Sequence, residues 1–282
     1  MPQDKDFRAV VNAIREGKRN PLIMGILNVT PDSFYDGGSY ADTTEILRAA
    51  AVMIADGAEI LDIGAVSTRP GSVAPDVEEE WLRLQHALTA MRREFPGVFI
   101  SIDTYRAEVA RKAVSEGADI INDVSAGMMD SDMCATIGQM KVPYIAMHMQ
   151  GTPQNMQQQP TYNDVTAEVL AFLSERAQLF EAAGCPVVIA DPGFGFGKTI
   201  KHNYQLLHEL EQITLRFPTL VGISRKSMIY KVLQSNAAGA LNGTTVANTL
   251  ALIKGAHILR VHDVKEARET VEIVAMMKSS VT

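Results

Sequence analysis

The chain has 282 residues, 46% hydrophobic and 21% charged, which suits one large domain with a substantial core and leaves little room for disorder. A formal net charge of -7 without a dense run of Lys or Arg argues against a nucleic-acid or membrane partner. The polar N-terminus and the absence of any stretch of about 18 apolar residues predict a cytoplasmic protein.

Eight short apolar or β-branched runs alternate along the chain with longer segments of helical spacing. The predicted strands are 22–30, 59–65, 98–104, 119–124, 142–148, 187–193, 219–224 and 257–263. The clearest predicted helices are 43–55, 77–95, 107–116, 165–183 and 240–254. Glycines typical of helix C-caps precede four strands, at Gly57, Gly117, Gly184 and Gly255. This alternation predicts a parallel sheet covered by helices.

Such an alternation fits either an open doubly wound sheet or a closed barrel. The first strand is not followed by the GxGxxG fingerprint of dinucleotide-binding open sheets, and no long edge connection is evident. We therefore predict a single (β/α)8 TIM barrel over residues 1–282. A helix-like segment at 7–16, within an N-terminal extension of residues 1–20, either plugs the bottom of that barrel or lies on it.

Nearly every predicted strand ends in a polar residue that a buried strand should not favour. In a barrel, these strand ends converge on one mouth. Singly, Asp62 or Asn122 could equally be a turn residue, but eight such positions favour a functional site. The eight are Asn28, Asp62, Asp103, Asn122, His148, Asp191, Ser224 and His262.

Two loops after the first and second strands are rich in hydroxyl groups, Gly and Pro. They cover 28–38 and 67–71, and the second carries Arg69. Such loops suit lids that close over a substrate phosphate, although ordinary turn chemistry would produce the same composition.

Three later segments bear on anion binding. The run from Asp191 to Thr199 resembles a nucleotide phosphate loop, but its glycine spacing is one residue too short. Lys226, at a predicted helix start after the seventh strand, is placed to hold an anion. Arg260 and His262 alternate onto the same side of the eighth strand, and these last two loops are the usual phosphate site of a barrel.

The sequence contains no zinc-type ligand spacing among its six histidines. An amide such as Asn28 and substrate phosphate oxygens suit Mg²⁺ far better. Cys134 and Cys185 are expected to be small apolar residues rather than a disulfide or metal pair.

Several motifs together resemble the bacterial dihydropteroate synthase family, from about residue 22 to the end. Each of them lies at a predicted strand end. The motifs are ILNVTPDSF at 26–34, STRPG at 67–71, SIDT at 101–104, IIND at 120–123, MHMQGTP at 147–153, DPGFGFGK at 191–198, SRKS at 224–227 and RVHDV at 260–264.

This resemblance implies a folate-pathway transferase that joins 6-hydroxymethyl-7,8-dihydropterin diphosphate to 4-aminobenzoate and releases diphosphate with the assistance of Mg²⁺. Diphosphate is expected to leave before the amine attacks. The resemblance also implies a homodimer formed through the outer helices.

The resemblance further implies roles for individual residues. The pterin would contact Asp103, Asn122, Met147, Asp191 and Lys226. The diphosphate would contact Asn28, which also holds the metal, together with Thr68, Arg69, Arg260 and His262. The aminobenzoate would lie near Phe34, Thr68, Pro70, Phe196 and Ser227, and the catalytic groups would be Asp103, Lys226, Arg260 and His262.

Two departures from the family pattern affect the loops. Ala65 and Val66 stand where the family usually has Gly and Glu, and Tyr35 replaces a smaller polar residue. A pterin-binding methyltransferase remains an alternative, but it would not need Arg69, Lys226, Arg260 and His262 around a leaving diphosphate. The altered 65–66 segment also leaves open a non-catalytic pterin-binding paralogue.

Overall fold

The computed structural model describes residues 6–29, 40–65, 75–152, 156 and 160–280, with only the backbone described at 40–42. All eight predicted strands are present in it. They are β1 Leu22–Asn28, β2 Ile60–Gly64, β3 Phe99–Asp103, β4 Ile120–Asp123, β5 Tyr144–Met147, β6 Val188–Asp191, β7 Leu220–Val221 and β8 Ile258–Val261.

Helices follow the strands as the sequence predicts. They are α1 Phe7–Arg15, α2 Tyr40–Ala55, α3 Val77–Glu94, α4 Ala107–Ser115, α5 Met133–Met140, α6 Val165–Ala183, α7 Ile200–His208, α8 Glu211–Thr214, α9 Ser227–Tyr230, α10 Leu241–Ile253 and α11 Val264–Ser279. The four predicted C-cap glycines all have positive φ, between 88° and 110°. No helix in the described part of the chain combines the length and apolarity needed to cross a membrane.

Local sequence signals explain where these helices begin and end. In α3, the side chain of Asp76 accepts a hydrogen bond of 2.8 Å from the amide of Glu79, which satisfies one of the free N–H groups of the first turn. Acidic residues fill that first turn, and Arg92 and Arg93 fill the last. Both ends therefore complement the helix dipole.

The eight strands form one parallel sheet that closes on itself. The ladder runs β6-β5-β4-β3-β2-β1-β8-β7. A parallel bridge between Ala190 and Thr219, with a 2.9 Å bond from the Ala190 amide to the Pro218 carbonyl, joins its two edges. The predicted (β/α)8 barrel is confirmed, although β7 is only two residues long.

Alternation along the strands divides the barrel interior into an apolar floor and a polar mouth. The floor consists of buried residues from the starts of the strands: Leu22, Met24, Ile60, Phe99, Ile120, Ile145, Ile189, Leu220 and Ile258. Two or more residues further along each strand, the same inward face carries Asp62, Asn122, Asp191 and Arg260. The hydrophobic floor stabilises the barrel and leaves the opposite end for chemistry.

Helix α1 plugs the bottom of the barrel. Phe7, Val11 and Ile14 are buried in the same cluster as the floor residues. The Phe7 ring meets the Phe99 ring edge-on with centroids 5.1 Å apart. Of the two arrangements that the sequence allowed for this segment, the structure shows the plug.

Candidate active site

Neighbouring strands bring four polar or small residues into register at the mouth. Asn28 pairs with Gly64, Gly64 with Asp103, and Asp103 with Asn122. A Cβ built on Gly64 would lie 3.6 Å from Asp103 Oδ2 and 3.8 Å from Asn28 Oδ1. Glycine at this position therefore leaves room between an amide oxygen and a carboxylate oxygen at the rim.

Arg260 is the centre of the ion pairs inside the mouth. Its Nε donates to Asp62 Oδ2 at 2.7 Å, and its Nη2 donates to Asp103 Oδ2 at 3.0 Å. Asn122 Nδ2 donates to the same Asp62 oxygen at 3.0 Å. One planar guanidinium thus holds two carboxylates from adjacent strands, an arrangement that a lysine could not reproduce.

The ionisation of Asp103 is set by opposing effects of burial and charge. Burial raises the pKa of Asp103 to about 7, and Arg260 opposes that rise. The neighbouring carboxylates Asp62, Asp123 and Glu80 push the pKa of Asp103 up further. A carboxyl poised near neutrality in a cleft is typical of a functional group.

Asp191 and Lys226 are opposite charges that influence each other's ionisation. Burial raises the pKa of Asp191, whose Oδ1 accepts from the amide of Gly193 at 2.8 Å. Burial lowers the pKa of Lys226 to about 8, and the charge of Asp191 opposes that shift. Lys226 Nζ donates to the Phe194 carbonyl at 2.5 Å and lies 4.6 Å from the centroid of the Phe196 ring.

The loop between β6 and α7 is held from below by Lys198. This buried lysine donates to the carbonyls of Gly193 at 2.9 Å and Phe196 at 3.1 Å. Its Nζ therefore points into the protein rather than toward a phosphate, which agrees with the sequence argument against a nucleotide loop. The loop presents Phe196 at the mouth while its backbone is fixed.

His148 is a correction to the predicted mouth. The sequence places it among the eight converging strand ends, but β5 ends at Met147 and the next side chain points outward. The His148 ring lies edge-on to Phe172 of α6, and its Nδ1 is 3.0 Å from Lys198 Nζ. The prediction for His148 was wrong because side chains alternate along the strand. The preceding residue, Met147, points inward and pairs with Asp191.

His262 and Ser224 meet at the ends of β8 and β7. Ser224 Oγ is 3.0 Å from His262 Nδ1 and accepts from the His262 amide at 3.2 Å. Desolvation at the mouth, with Arg260 next in importance, lowers the pKa of His262. The residue as a whole is nevertheless exposed, so a ligand can reach it.

Arg225 fixes the loop that carries Lys226. It has a positive φ of 55° and forms a two-bond ion pair with Asp263, at 2.8 and 2.6 Å. Helix α9 then begins at Ser227, as predicted, but it is a single turn of four residues. A carboxylate at that helix start would be held by the amide and hydroxyl groups there rather than by a long helix dipole.

Most of the predicted site residues that the structure describes lie around one mouth. Phe34, Thr68, Arg69 and Pro70, with Tyr35 and Val66, lie outside the described residues. Among the described residues, no cluster of three His, Cys, Asp or Glu side chains is suited to hold a metal. Cys134 and Cys185 are free.

Asp62 is the residue that sequence reasoning undervalued. The sequence shows it as one of the eight strand-end polar residues and allows a turn role equally well, and the family resemblance gives it no ligand role. The structure buries it completely and bonds it to Arg260 and Asn122. A signal was present, because Asp62 lies two residues before Gly64 on the inward face of β2.

The fold and this mouth define a (β/α)8 barrel enzyme that binds a polar heterocycle and an anion at the carboxyl ends of its strands. The family model described as "Pterin binding enzyme" matches residues 24–262. The chain belongs to this family and, within it, to the dihydropteroate synthases.

Individual relatives are similar over nearly the whole chain. The dihydropteroate synthase of Escherichia coli strain K12 is 43% identical over 258 residues, which cover 90% of this chain and 91% of that protein. The Yersinia pestis dihydropteroate synthase in a sulfonamide drug complex has a TM-score of 0.86 and 39% identity, covering 92% of this chain and 95% of that chain. The Xanthomonas albilineans dihydropteroate synthase with 4-aminobenzoic acid has a TM-score of 0.85 and 37% identity, covering 92% and 93%.

Proposed function

We propose that this mouth joins 6-hydroxymethyl-7,8-dihydropterin diphosphate to 4-aminobenzoate, giving 7,8-dihydropteroate and diphosphate in folate biosynthesis. The observation that carries the proposal is the convergence of buried carboxylates with Arg260 and Lys226 on one inner face of the barrel. Membership in the dihydropteroate synthases and the 4-aminobenzoic acid bound by the Xanthomonas relative support it.

The pterin ring binds deepest, among Asp103, Asn122, Asp191, Met147 and Lys226. Its guanidine-like edge offers ring N–H and amino groups that carboxylate and amide oxygens accept. Asp191 and Asn122 are almost fully buried, so these bonds form away from competing water. Each such charge-assisted bond contributes roughly 1.5 to 3 kcal/mol, enough to orient the ring. The apolar side chain of Met147 packs against the ring.

Departure of diphosphate is the step that the cationic side of the mouth assists. The bond between the pterin methylene carbon and the diphosphate oxygen breaks, and its electron pair leaves with the diphosphate. Arg260 and His262 lie on the same side of β8, where they can bind the oxygens on which charge develops. Thr68 and Arg69, outside the described residues, complete this set in the proposal.

Asp103 stabilises the pterin-methylene cation that the departing diphosphate leaves behind. Its carboxyl lies inside the mouth, bonded to Arg260 at 3.0 Å. Since its pKa is about 7 without substrate, a developing positive charge nearby would favour its ionised form. The carboxylate therefore stabilises the cation more than the neutral ground state, which is the requirement for lowering a barrier.

The aminobenzoate approaches from the outer rim. Phe196, half-buried beside Lys226, provides an aromatic surface, and Ser227 offers its hydroxyl and amide to the carboxylate. Phe34, Thr68 and Pro70 would complete this subsite.

The amine lone pair forms the new C–N bond, and the nitrogen then loses a proton to water or diphosphate. No strong general base is required, because the aromatic amine is already nucleophilic.

The residues at the rim fit a Mg²⁺ ion that arrives with the substrate. Asn28 Oδ1 lies at the rim beside Gly64, and an amide oxygen is one of the hard ligands that Mg²⁺ prefers. One or two protein oxygens suffice, since this ion usually keeps several waters and binds substrate phosphates. When bound, Mg²⁺ would neutralise part of the negative charge on diphosphate; Asn28 is the residue proposed to hold it.

The chain forms a homodimer through its outer helices in this proposal. Helix α10 exposes Val246, Leu250 and Ile253 along one side, and the adjoining α11 exposes Ile273 and Met276. Several large exposed apolar side chains on adjoining helices are typical of a protein–protein interface. It faces away from the mouth, so pairing there leaves substrate access unobstructed.

An assay for product formation tests the proposed reaction. The purified chain is supplied with dihydropterin diphosphate, with and without 4-aminobenzoate and Mg²⁺, and both diphosphate and dihydropteroate are measured. We expect dihydropteroate only when both organic substrates and Mg²⁺ are present. Tight pterin binding without any dihydropteroate would contradict the proposal and favour the non-catalytic paralogue.

A further inference from the structure

Asp62 is assigned to neither substrate, yet it bonds to one residue from each set. It is fully buried on the inward face of β2. Its Oδ2 accepts from Arg260 Nε at 2.7 Å and from Asn122 Nδ2 at 3.0 Å. Within the part of the chain that the structure describes, its Oδ1 has no hydrogen-bond partner. The carboxylate thus links β4 and β8 through the centre of the barrel.

The first consequence concerns the direction of the Arg260 guanidinium. Asp62 takes Nε and Asp103 takes Nη2, which leaves Nη1 outside both ion pairs. The plane of the guanidinium is therefore set by two fixed oxygens on neighbouring strands. An arginine without Asp62 could turn about its side-chain torsions and pair with Asp103 alone.

The second consequence concerns the amide of Asn122. An amide can present either its oxygen or its nitrogen to a ligand, and the hydrogen-bond partners decide which. A flipped Asn122 would place its oxygen against the Asp62 carboxylate, a repulsive contact between two acceptors. Asp62 therefore fixes which way the Asn122 amide faces. The amide oxygen and the second N–H are left free to contact a ligand in the mouth.

We infer that Asp62 is a positioning residue for this reaction: it holds the ring-binding Asn122 and the diphosphate-binding Arg260 in one fixed relation. The inference rests on the proposed function for the identity of the two ligands. A carboxylate is required because it accepts from both partners and balances the buried Arg260 charge. It acts through these two residues and touches neither substrate.

The test compares Asp62→Asn with Ser101→Ala. Ser101 is the register partner of Asp62 on β3, is equally buried, and its Oγ has no hydrogen-bond partner among the described residues. The control therefore perturbs the same layer of the barrel without removing a charge. Binding of free pterin is measured by calorimetry, and turnover is measured as a function of pH.

We expect Asp62→Asn to weaken pterin binding about 10-fold through Asn122 and to lower kcat/KM about 100-fold through Arg260. The pH profile separates positioning from a purely structural role, because a loss of stability alone would not shift the pH at which activity falls. Asp103 is faced by Arg260 from β8, by Asp62 from β2, by Asp123 from β4 and by Glu80 from α3. Losing the Asp62 charge removes one repulsion, so the acid limb should move down by about one pH unit.

Two outcomes would overturn the inference. One is an Asp62→Asn enzyme whose losses match those of Ser101→Ala; the other is a slower enzyme whose acid limb stays in place. Asp62→Ser removes the same charge without adding an amide, and it carries the same expectations if the asparagine variant does not fold. A wild-type enzyme that forms no dihydropteroate contradicts the proposed function instead, while the pterin-binding arm still tests the link between Asp62 and Asn122.

Discussion

Single residues in this mouth differ in how directly the sequence reveals them. Arg260 and Asp191 can be predicted, because a charged residue on an otherwise apolar strand has few structural reasons to be there. Asp62 and His148 could not be assigned correctly. The role of Asp62 depends on Arg260, which lies 198 residues away in the sequence. The direction of the His148 side chain depends on the residue at which β5 ends.

The ionisation of Asp103 gives a prediction at the residue scale. Activity should fall as the pH drops through about 7, the pKa of Asp103, because protonation removes the negative charge that favours the cation. Asp103→Asn should lower kcat/KM about 100-fold and remove this limb of the kcat/KM profile, which reports the free enzyme. The measurement is kcat/KM from pH 5 to 9 for both enzymes. An acid limb that persists unchanged in Asp103→Asn would assign it to another group.

At the scale of elements, the loop from β6 to α7 shows what a sequence pattern can and cannot give. The Gly-rich pattern indicates a tight loop, and the short spacing excludes a nucleotide loop. The support from Lys198 could not be predicted, because a lysine in such a loop is usually taken to reach a ligand. Here burial and three carbonyl groups hold it inside.

Gly193 is the element-scale prediction. Its φ is +68°, and a Cβ there would lie 1.9 Å from the His148 carbonyl oxygen, so no side chain fits without movement of the backbone. Gly193→Ala should destabilise the protein by about 3 kcal/mol or more. Gly97→Ala is the matched control, since nothing lies within 4 Å of its Cβ position, and it should change stability by less than about 0.5 kcal/mol. Denaturant unfolding compares the two, and equal effects would contradict the steric argument.

At the scale of the whole molecule, the barrel could be predicted because eight strand-helix repeats leave few alternatives. The sequence allows α1 either to plug the barrel or to lie on it, and the burial of its apolar side among the floor residues, with Phe7 against Phe99, distinguishes the two. The loops that carry Arg69 and Phe34 lie outside the described residues, so their predicted roles remain predictions.

The dimer is a prediction about the whole molecule. Sedimentation should show a dimer for the wild type and a monomer for Ile273→Glu, because Ile273 is 70% exposed on the apolar side of α11 and a charge there would be buried on pairing. Leu82→Glu is the control: Leu82 is 55% exposed on α3, away from that surface, and this variant should stay dimeric. A dimeric Ile273→Glu protein would place the interface elsewhere.

The proposed division of the mouth into a ring-binding zone and a diphosphate-binding zone is tested most directly by Arg260→Ala. Binding of free pterin and turnover are measured on the same preparation. Turnover should fall by about 100-fold to 1,000-fold, because a cation aimed at the leaving group is lost. Affinity for free pterin should fall much less than turnover does, since Asp191, Asn122 and Lys226 remain in place. Of the ring-binding residues, only Asp103 loses its Arg260 partner. Equal losses of binding and turnover would contradict the separation of the two zones.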